Sequence, residues 1–146
     1  MAGVIDTNIL LYGANADAPE HAAARAFLLN VGASTADWYL TDGILYEFLR
    51  VATHPKVFPR PIGWQDALDF LQPFLDAANV SLLQSGPGHG AILRDVLGSL
   101  THPAGNLFFD VRTVVLMREH GIRRIYTTDT DFLAFSGIDS VNPLRG

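Results

Sequence analysis

Cysteine is absent from the 146-residue sequence, and lysine occurs once, as Lys56. The absence of cysteine excludes disulfides, thiolate metal sites and cysteine nucleophiles, and it suits the reducing cytoplasm. The first residues lack a basic segment followed by a long apolar core, and no apolar run reaches the roughly 18 residues that cross a bilayer. We therefore expect a cytoplasmic protein with no signal peptide and no contact with a membrane.

Positive charge is also scarce, with 10 lysine and arginine residues against 15 aspartate and glutamate residues and a net charge of −5. Taken alone, this balance argues against a nucleic-acid binder, because contacts with phosphates need basic side chains. The argument weakens if several acids converge on a cation, which creates a local positive centre. Hydrophobic residues make up 49% of the chain, enough for a core, and the length predicts a single domain over residues 1–146.

Strand-like and helix-like segments alternate along the chain. Strands are predicted over residues 3–6, 38–41, 80–83, 124–128 and 138–141, and helices over 9–12, 21–29, 43–53, 64–75, 89–100 and 107–120. We expect Asp42 and Asn106 to be N-caps and Pro73 to kink or shorten its helix. The alternation predicts a three-layer α/β/α sandwich with a mostly parallel central sheet, whose strands end at one ligand-binding edge.

Acidic residues follow two of the predicted strands. Asp6 comes directly after Val4-Ile5, and Asp129 and Asp131 come after the strand that begins at Arg124. Each has an ordinary structural alternative: Asp6 and Asp131 could be helix N-caps, and Asp129 could be a turn residue. Parallel topology nevertheless places these carboxylates at the same edge of the sheet.

Two further acids lie on helices beside apolar residues. Ile44, Phe48 and Val51 lie three residues before, one after and four after Glu47, on or beside its face of the helix. Leu107, Val111 and Val114 have the same spacing from Asp110. Glu47 could instead pair on the surface with Arg50, and Asp110 could simply favour the first turn of its helix. A carboxylate among this much apolar surface is costly without a partner.

Carboxylates that converge without lysine or arginine among them repel one another, and a divalent cation relieves that repulsion. Oxygen ligands alone favour Mg²⁺ or Mn²⁺, and such an ion suits the hydrolysis of phosphodiester bonds. Asn8, Asn106 and Thr128 could orient the ligands through neutral hydrogen bonds. The residues therefore predict a metal-dependent site at the carboxyl edge of the sheet.

The chain resembles the PIN-domain nucleases, and in particular the VapC-type toxins of type II toxin–antitoxin pairs. The matching pieces occur in order along almost the whole chain. They are Val4-Ile5-Asp6-Thr7-Asn8, Glu47-Phe48-Leu49-Arg50-Val51, Asn106-Leu107 with Asp110, His120-Gly121, Thr128-Asp129-Thr130-Asp131-Phe132 and Asn142-Pro143-Leu144. One departure is Val111, where alanine is common in the family, and we expect it to adjust packing without removing the site.

The resemblance implies that Asp6, Glu47, Asp110 and Asp129 form the catalytic, metal-binding site, with Asp131 as a fifth acid. It implies an Mg²⁺- or Mn²⁺-dependent endoribonuclease that is inhibited by a small cognate VapB-type antitoxin and forms a homodimer. Arg112, two residues from Asp110, and Arg50 are the candidates for contacts with RNA phosphates, although for any one arginine a solvated surface charge is the more common alternative.

Two other functions are compatible with parts of the sequence. A strand followed by an aspartate also opens the phosphatases that use an aspartyl nucleophile, but those need a second aspartate where Asn8 stands and a lysine in the site, and the chain has only Lys56. The other alternative is an inactive PIN-like module that binds RNA or a protein. Such modules usually lose acids, and all four expected acids are present here.

Overall fold

A computed structural model describes residues 2–56 and 58–145; the predicted domain of residues 1–146 also includes Met1, Val57 and Gly146, which lie outside the described residues. The described residues form a five-stranded sheet in the order β3-β2-β1-β4-β5, and every neighbouring pair of strands is parallel. The strands are β1 Gly3–Ile5, β2 Trp38–Thr41, β3 Val80–Leu83, β4 Arg124–Tyr126 and β5 Asp139–Val141.

Helices connect the successive parallel strands, as right-handed crossovers require. They are α1 Thr7–Ala14, α2 His21–Ala33, α3 Asp42–Ala52, α4 Trp64–Asp76, α5 His89–Gly98 and α6 Leu107–Glu119, with a 3₁₀ helix at Thr130–Ala134 before β5. Helix α1 packs against α2 and α3, α3 against α4, and α5 against α6. The predicted α/β/α sandwich is therefore confirmed, and the sheet is parallel throughout the described residues.

The core lies between the sheet and these helices. Val4 and Ile5 of β1, Leu40 of β2 and Ile125 of β4 are fully buried, which is typical of parallel strands covered on both faces. The longest buried run among the described helices is Thr113–Met117 of α6, and its last four residues are fully buried. Because α6 is packed this tightly, Asp110 in its first turn is held in a fixed position relative to the sheet.

Several predictions of local structure were wrong in detail. The N-cap of α3 is Thr41 and not Asp42, because the Thr41 hydroxyl accepts the Ile44 N–H at 3.1 Å, while Asp42 is the first helical residue. Asn106 precedes α6, but its side chain makes no capping hydrogen bond. The 3₁₀ helix is capped by Asp129 and not by Asp131, since the Asp129 carboxylate accepts the Asp131 N–H at 2.8 Å.

Element lengths differ from the predictions at the ends and at one proline. Helix α4 continues through Pro73 to Asp76, because Pro73 is exposed and water can solvate the carbonyl that loses its intrahelical donor. Strand β4 stops at Tyr126, two residues earlier than predicted, and α1 starts at Thr7, two residues earlier than predicted. Asp6 and Asp129 nevertheless follow neighbouring strands, as expected.

Strand order reverses between β1 and β4. The chain proceeds from β1 to β2 and β3 on one side, and it resumes with β4 on the other side of β1. In open α/β sheets, ligands bind in the crevice outside the carboxyl ends of the strands at such a reversal. Asp6 and Asp129 lie at this crevice. Among residues 2–56 and 58–145, no helix combines the length and the apolar character that a membrane span needs.

Candidate active site

Asp6 lies where β1 ends and α1 begins, and it is 7% exposed. One of its carboxylate oxygens, Oδ1, accepts the Thr7 backbone N–H at 2.8 Å, which caps α1. The other, Oδ2, accepts the Thr127 hydroxyl at 2.7 Å and the Asn8 amide at 3.2 Å. The predicted capping role and a role in the site are therefore compatible, because three short contacts fix the orientation of this buried carboxylate.

Thr127 connects the ends of β1 and β4. Ile5 is paired with Tyr126 in the parallel ladder, so the next residues, Asp6 and Thr127, come side by side. The Thr127 hydroxyl oxygen also accepts the Asn8 amide at 3.0 Å and the Asp129 backbone N–H at 2.9 Å. This one side chain therefore orients both acids that follow the strands.

Thr127, and not the predicted Thr128, provides the supporting side chain. Thr128 contributes its backbone N–H, which donates to the Asn8 side-chain oxygen at 3.2 Å. No local signal in the sequence singles out Thr127, because its role depends on the pairing of β4 with β1. Asn8 lies as predicted, with hydrogen bonds to Asp6 and to the segment after β4.

Asp110, Asp129 and Asp131 form a cluster of carboxylates. One oxygen from each lies within 4.8 Å of the others, an arrangement that could hold a metal ion. Asp110 and Asp129 are half-buried, whereas Asp131 is exposed. The 3₁₀ helix produces this geometry, because the cap that Asp129 makes to the Asp131 N–H brings both side chains toward α6.

Glu47 faces Asp6 and Asp110 across a cleft of about 650 Å³. It is half-buried on α3, and none of the described residues forms a salt bridge with it, so the alternative pairing with Arg50 is absent. Asn106, Arg50 and Arg112 line the same cleft, and Tyr46 and Phe109 are exposed at its margin. The cleft therefore contains three of the predicted acids and both predicted phosphate-binding arginines.

Burial and neighbouring carboxylates raise the pKa values of Asp6 and Asp110. Burial raises the pKa of Asp6 from 3.8 to about 6; the carboxylates of Glu47 and Asp129 add to the rise, and the hydrogen bonds from Thr127 and Thr7 oppose it. Burial also raises the pKa of Asp110, to about 7, and the carboxylates of Asp6, Asp129, Asp131 and Glu47 raise it further. All five acids therefore interact electrostatically at one site.

The donor set fits a hard divalent cation. It consists of carboxylate oxygens, as Mg²⁺ and Mn²⁺ prefer, with no cysteine in the chain and no histidine in the cluster. Burial is the main cause of the raised pKa values of Asp6 and Asp110, and the neighbouring carboxylates add to it; a cation between the carboxylates would oppose both effects. Asp110, Asp129 and Asp131 are the residues positioned to hold it.

Thr127 offers a direct test of the hydrogen-bonded support around Asp6. We expect Thr127→Val to lower the free energy of unfolding by about 2 kcal/mol, because a carboxylate and two N–H groups lose a buried partner without loss of volume. Thr127→Ser is the matched control, since it keeps the hydroxyl. Urea denaturation of both variants measures the difference; a Thr127→Val protein as stable as the wild type would show that the hydroxyl does not support this part of the structure.

Comparison with known proteins identifies the family of the chain. The model of the PIN domain family matches residues 3–138. Over the full length of both chains, the protein is 30% identical to Ribonuclease VapC48 of Mycobacterium tuberculosis. It is 35% identical to Ribonuclease VapC24 of the same organism over 132 residues, which cover 88% of this chain and 89% of VapC24.

A solved structure agrees at the level of the fold. The crystal structure of VapBC2 from Rickettsia felis, bound to a DNA fragment from their promoter, contains a chain that superposes with a TM-score of 0.69. The match covers 97% of this chain and 98% of that chain at 14% sequence identity. Sequence relatives, the family model and the geometry of the acids all agree, and the chain belongs to the PIN domain family.

Proposed function

We propose that the protein is a divalent-metal-dependent endoribonuclease that acts as the toxin of a VapBC-type pair. The convergence of Asp6, Glu47, Asp110, Asp129 and Asp131 at the carboxyl edge of the sheet carries this proposal. Full-length relatives named as VapC ribonucleases support the same conclusion. The choice of Mg²⁺ or Mn²⁺ rests on the oxygen-only donor set.

The residues of the site would hold the cation, orient Asp6, position water or contact RNA. Asp110, Asp129 and Asp131 would hold the cation, which when bound polarises the scissile phosphate and activates water. Asp6 is oriented by Thr127, Asn8 and the Thr7 N–H, and its remaining lone pairs face the cleft. Glu47, on the opposite wall, binds the cation or positions the attacking water. Asn106 lines the mouth, and Arg112 and Arg50 supply positive charge for RNA phosphates.

Cleavage of total cellular RNA by the purified protein tests this function. With Mn²⁺ we expect discrete new 5′ ends, and with EDTA we expect none, because without a cation the clustered carboxylates repel the phosphate. Sequencing of the fragment ends identifies the target RNA. Identical fragments with Mn²⁺ and with EDTA would contradict metal dependence, and an absence of fragments from folded protein with Mn²⁺ would contradict the nuclease.

A small protein partner of the antitoxin type fits an apolar groove beside the cleft. The groove has a volume of about 360 Å³ and lies between α3 and α4; its lining residues are Tyr46, Leu49, Arg50, Thr53, Trp64 and Leu68. Trp64 is 63% exposed and Tyr46 is 72% exposed, which is costly in water. Tyr46 and Arg50 also line the acidic cleft. An apolar segment of the antitoxin in this groove would therefore reach the active-site mouth and block RNA.

We also propose homodimerisation and a cytoplasmic location, as the resemblance to VapC-type toxins implies. Large apolar side chains are exposed outside the groove, among them Leu29, Phe108, Phe109 and Leu133, and could be covered by a second copy. The phosphatase alternative loses support, because both oxygens of Asp6 accept hydrogen bonds and the exposed Lys56 does not line the cleft. The inactive-module alternative loses support because every expected acid is at the site.

A further inference from the structure

Arg112 and Asp42 form an ion pair at the mouth of the acidic cleft. Arg112 is two residues after Asp110 on α6, and Asp42 is the first residue of α3; the Arg112 Nη2 atom donates to the Asp42 carboxylate. Both side chains are partly exposed, at 38% and 53%, and both line the cleft. The pair therefore lies at the solvent-exposed side of the cleft that Asp6, Glu47 and Asp110 also line.

Gly43 provides the place where the Arg112 guanidinium rests. A Cβ atom on Gly43 would lie 2.7 Å from Arg112 Nη1, so any other residue there would displace the guanidinium. Nη1 is buried in this position and has no hydrogen-bond partner, whereas Nη2 has Asp42. A buried N–H group without an acceptor is costly. With the guanidinium over Gly43, the Nη2 group of Arg112 has a hydrogen-bond acceptor and the Nη1 group has none among the described residues.

We propose that Arg112 binds an RNA phosphate next to the scissile bond and that Asp42 is a built-in competitor for that contact. This inference rests on the proposed nuclease function. The guanidinium is a planar fork whose two amino groups match the oxygens of a phosphate, and the phosphate would satisfy the donor that Asp42 leaves unpaired. In the absence of RNA, Asp42 holds Arg112 over Gly43; when RNA binds, the phosphate replaces Asp42.

Arg112 is the better candidate of the two arginines in the cleft because it is coupled to an acid and positioned by the α6 helix that carries Asp110. Arg50 forms no ion pair with any described residue, and it lies where the acidic cleft meets the apolar groove. Arg50→Gln is therefore a control for the general loss of positive charge near the RNA.

Two single variants release Arg112 by different routes. Asp42→Asn removes the competing charge, and Gly43→Ala removes the resting place without changing any charge; apart from Nη1, the nearest atom to the new methyl is 3.6 Å away. We expect each variant to lower the KM for RNA cleavage about two- to fivefold, the range that an exposed ion pair spans, with kcat unchanged. Arg112→Gln should raise KM roughly tenfold, and Arg112→Lys should raise it less.

A double-mutant cycle separates competition for Arg112 from general repulsion of RNA. If Asp42 acts by occupying Arg112, Asp42→Asn has no effect in the Arg112→Gln background but keeps its effect in the Arg50→Gln background. Equal effects in all three backgrounds would overturn the proposal, as would an unchanged KM in both Asp42→Asn and Gly43→Ala. The Arg112→Gln protein should also lose about one unit of slope in the salt dependence of binding.

The failure of this inference can be distinguished from the failure of the nuclease function. The same cycle is measured by fluorescence anisotropy with a short fluorescein-labelled RNA of mixed sequence in EDTA, where no cleavage is required. Coupling between Asp42 and Arg112 in binding, with no cleavage in Mn²⁺, would support the inference and contradict the nuclease. Cleavage without coupling would support the nuclease and overturn the inference.

Discussion

Asp110→Asn is expected to abolish metal-dependent RNA cleavage, lowering kcat at least about a hundredfold, because loss of a ligand exceeds the 10- to 100-fold typical for residues that only support ligands. The substitution keeps the shape of the side chain and removes the charge that Asp110 contributes to the cluster with Asp129 and Asp131. The Asp110 side chain accepts no hydrogen bond from the residues that the structure describes, so the substitution leaves packing intact. Initial rates of cleavage with Mn²⁺ measure the effect.

Asp66→Asn is the matched control for this substitution. Asp66 occupies the first turn of α4, as Asp110 occupies the first turn of α6, but it is exposed and does not line the cleft. Both changes remove a favourable charge at a helix N-terminus, so any effect of the helix dipole is common to both. Similar rates for the two variants would contradict the assignment of Asp110.

The same pair of variants tests the role as a toxin in cells. Expression of the wild-type chain without its partner should arrest growth, and so should Asp66→Asn, whereas cells that express Asp110→Asn should grow. Circular dichroism of the purified variants shows whether both are folded. Growth arrest by folded Asp110→Asn protein would show that toxicity arises from something other than cleavage at this site.

The sequence was sufficient to predict the architecture and the approximate place of the acids. A strand that ends directly in a carboxylate, as at Ile5-Asp6, fixes that acid at the carboxyl edge once the sheet is parallel, and the alternation of elements indicates a parallel sheet. The same rule applies to β4 and Asp129. These inferences depend only on local pattern and on the handedness of crossovers, both of which are strong constraints.

The details that could not be predicted depend on contacts between distant parts of the chain. The role of Thr127 follows from the register of β4 against β1, which puts it beside Asp6 although 121 residues separate them in sequence. The Arg112–Asp42 pair needs α3 and α6 to meet, and nothing local to either residue shows that they do. The N-caps could not be predicted because two neighbouring side chains can cap each helix. Thr41 and Asp42 compete at α3, and Asp129 and Asp131 compete at the 3₁₀ helix; the backbone angles decide which one caps.

The metal-free protein is expected to become less stable as the pH rises from about 4 to about 7. The pKa of Asp6 is raised to about 6 and that of Asp110 to about 7, both above the ordinary value of 3.8. In this window the folded state therefore binds more protons than the unfolded state, so deprotonation favours unfolding. For Asp6, which is buried, the shift corresponds to about 2 to 3 kcal/mol, or roughly 5 to 10 °C in Tm for a domain of this size.

Thermal unfolding in EDTA at several pH values measures this trend, and Asp110→Asn isolates its origin. All other titratable groups are common to both proteins, so the difference between the two curves reports the acidic cluster. Asp17 and Glu119 have lowered pKa values, because Asp17 bonds with Arg60 and Glu119 with His89, and their contributions change at lower pH. The variant should have a flatter curve and a higher Tm near pH 7.5 than the wild type.

Mn²⁺ should reverse the trend, because a cation binds the deprotonated cluster that destabilises the metal-free fold. At a concentration of about 100 times Kd, a ligand that binds only the folded state stabilises it by about 2.7 kcal/mol. Protons compete for the same carboxylates, so this stabilisation should be large near pH 7.5 and small near pH 5. Asp110→Asn should lose it at every pH, whereas Asp66→Asn should keep it.

Stabilisation by Mn²⁺ that is independent of pH, or that survives in Asp110→Asn, would place the ion elsewhere on the protein. A wild-type protein that is most stable near pH 8 in EDTA would show that these carboxylates do not repel one another, and the physical argument for a cation between them would fail.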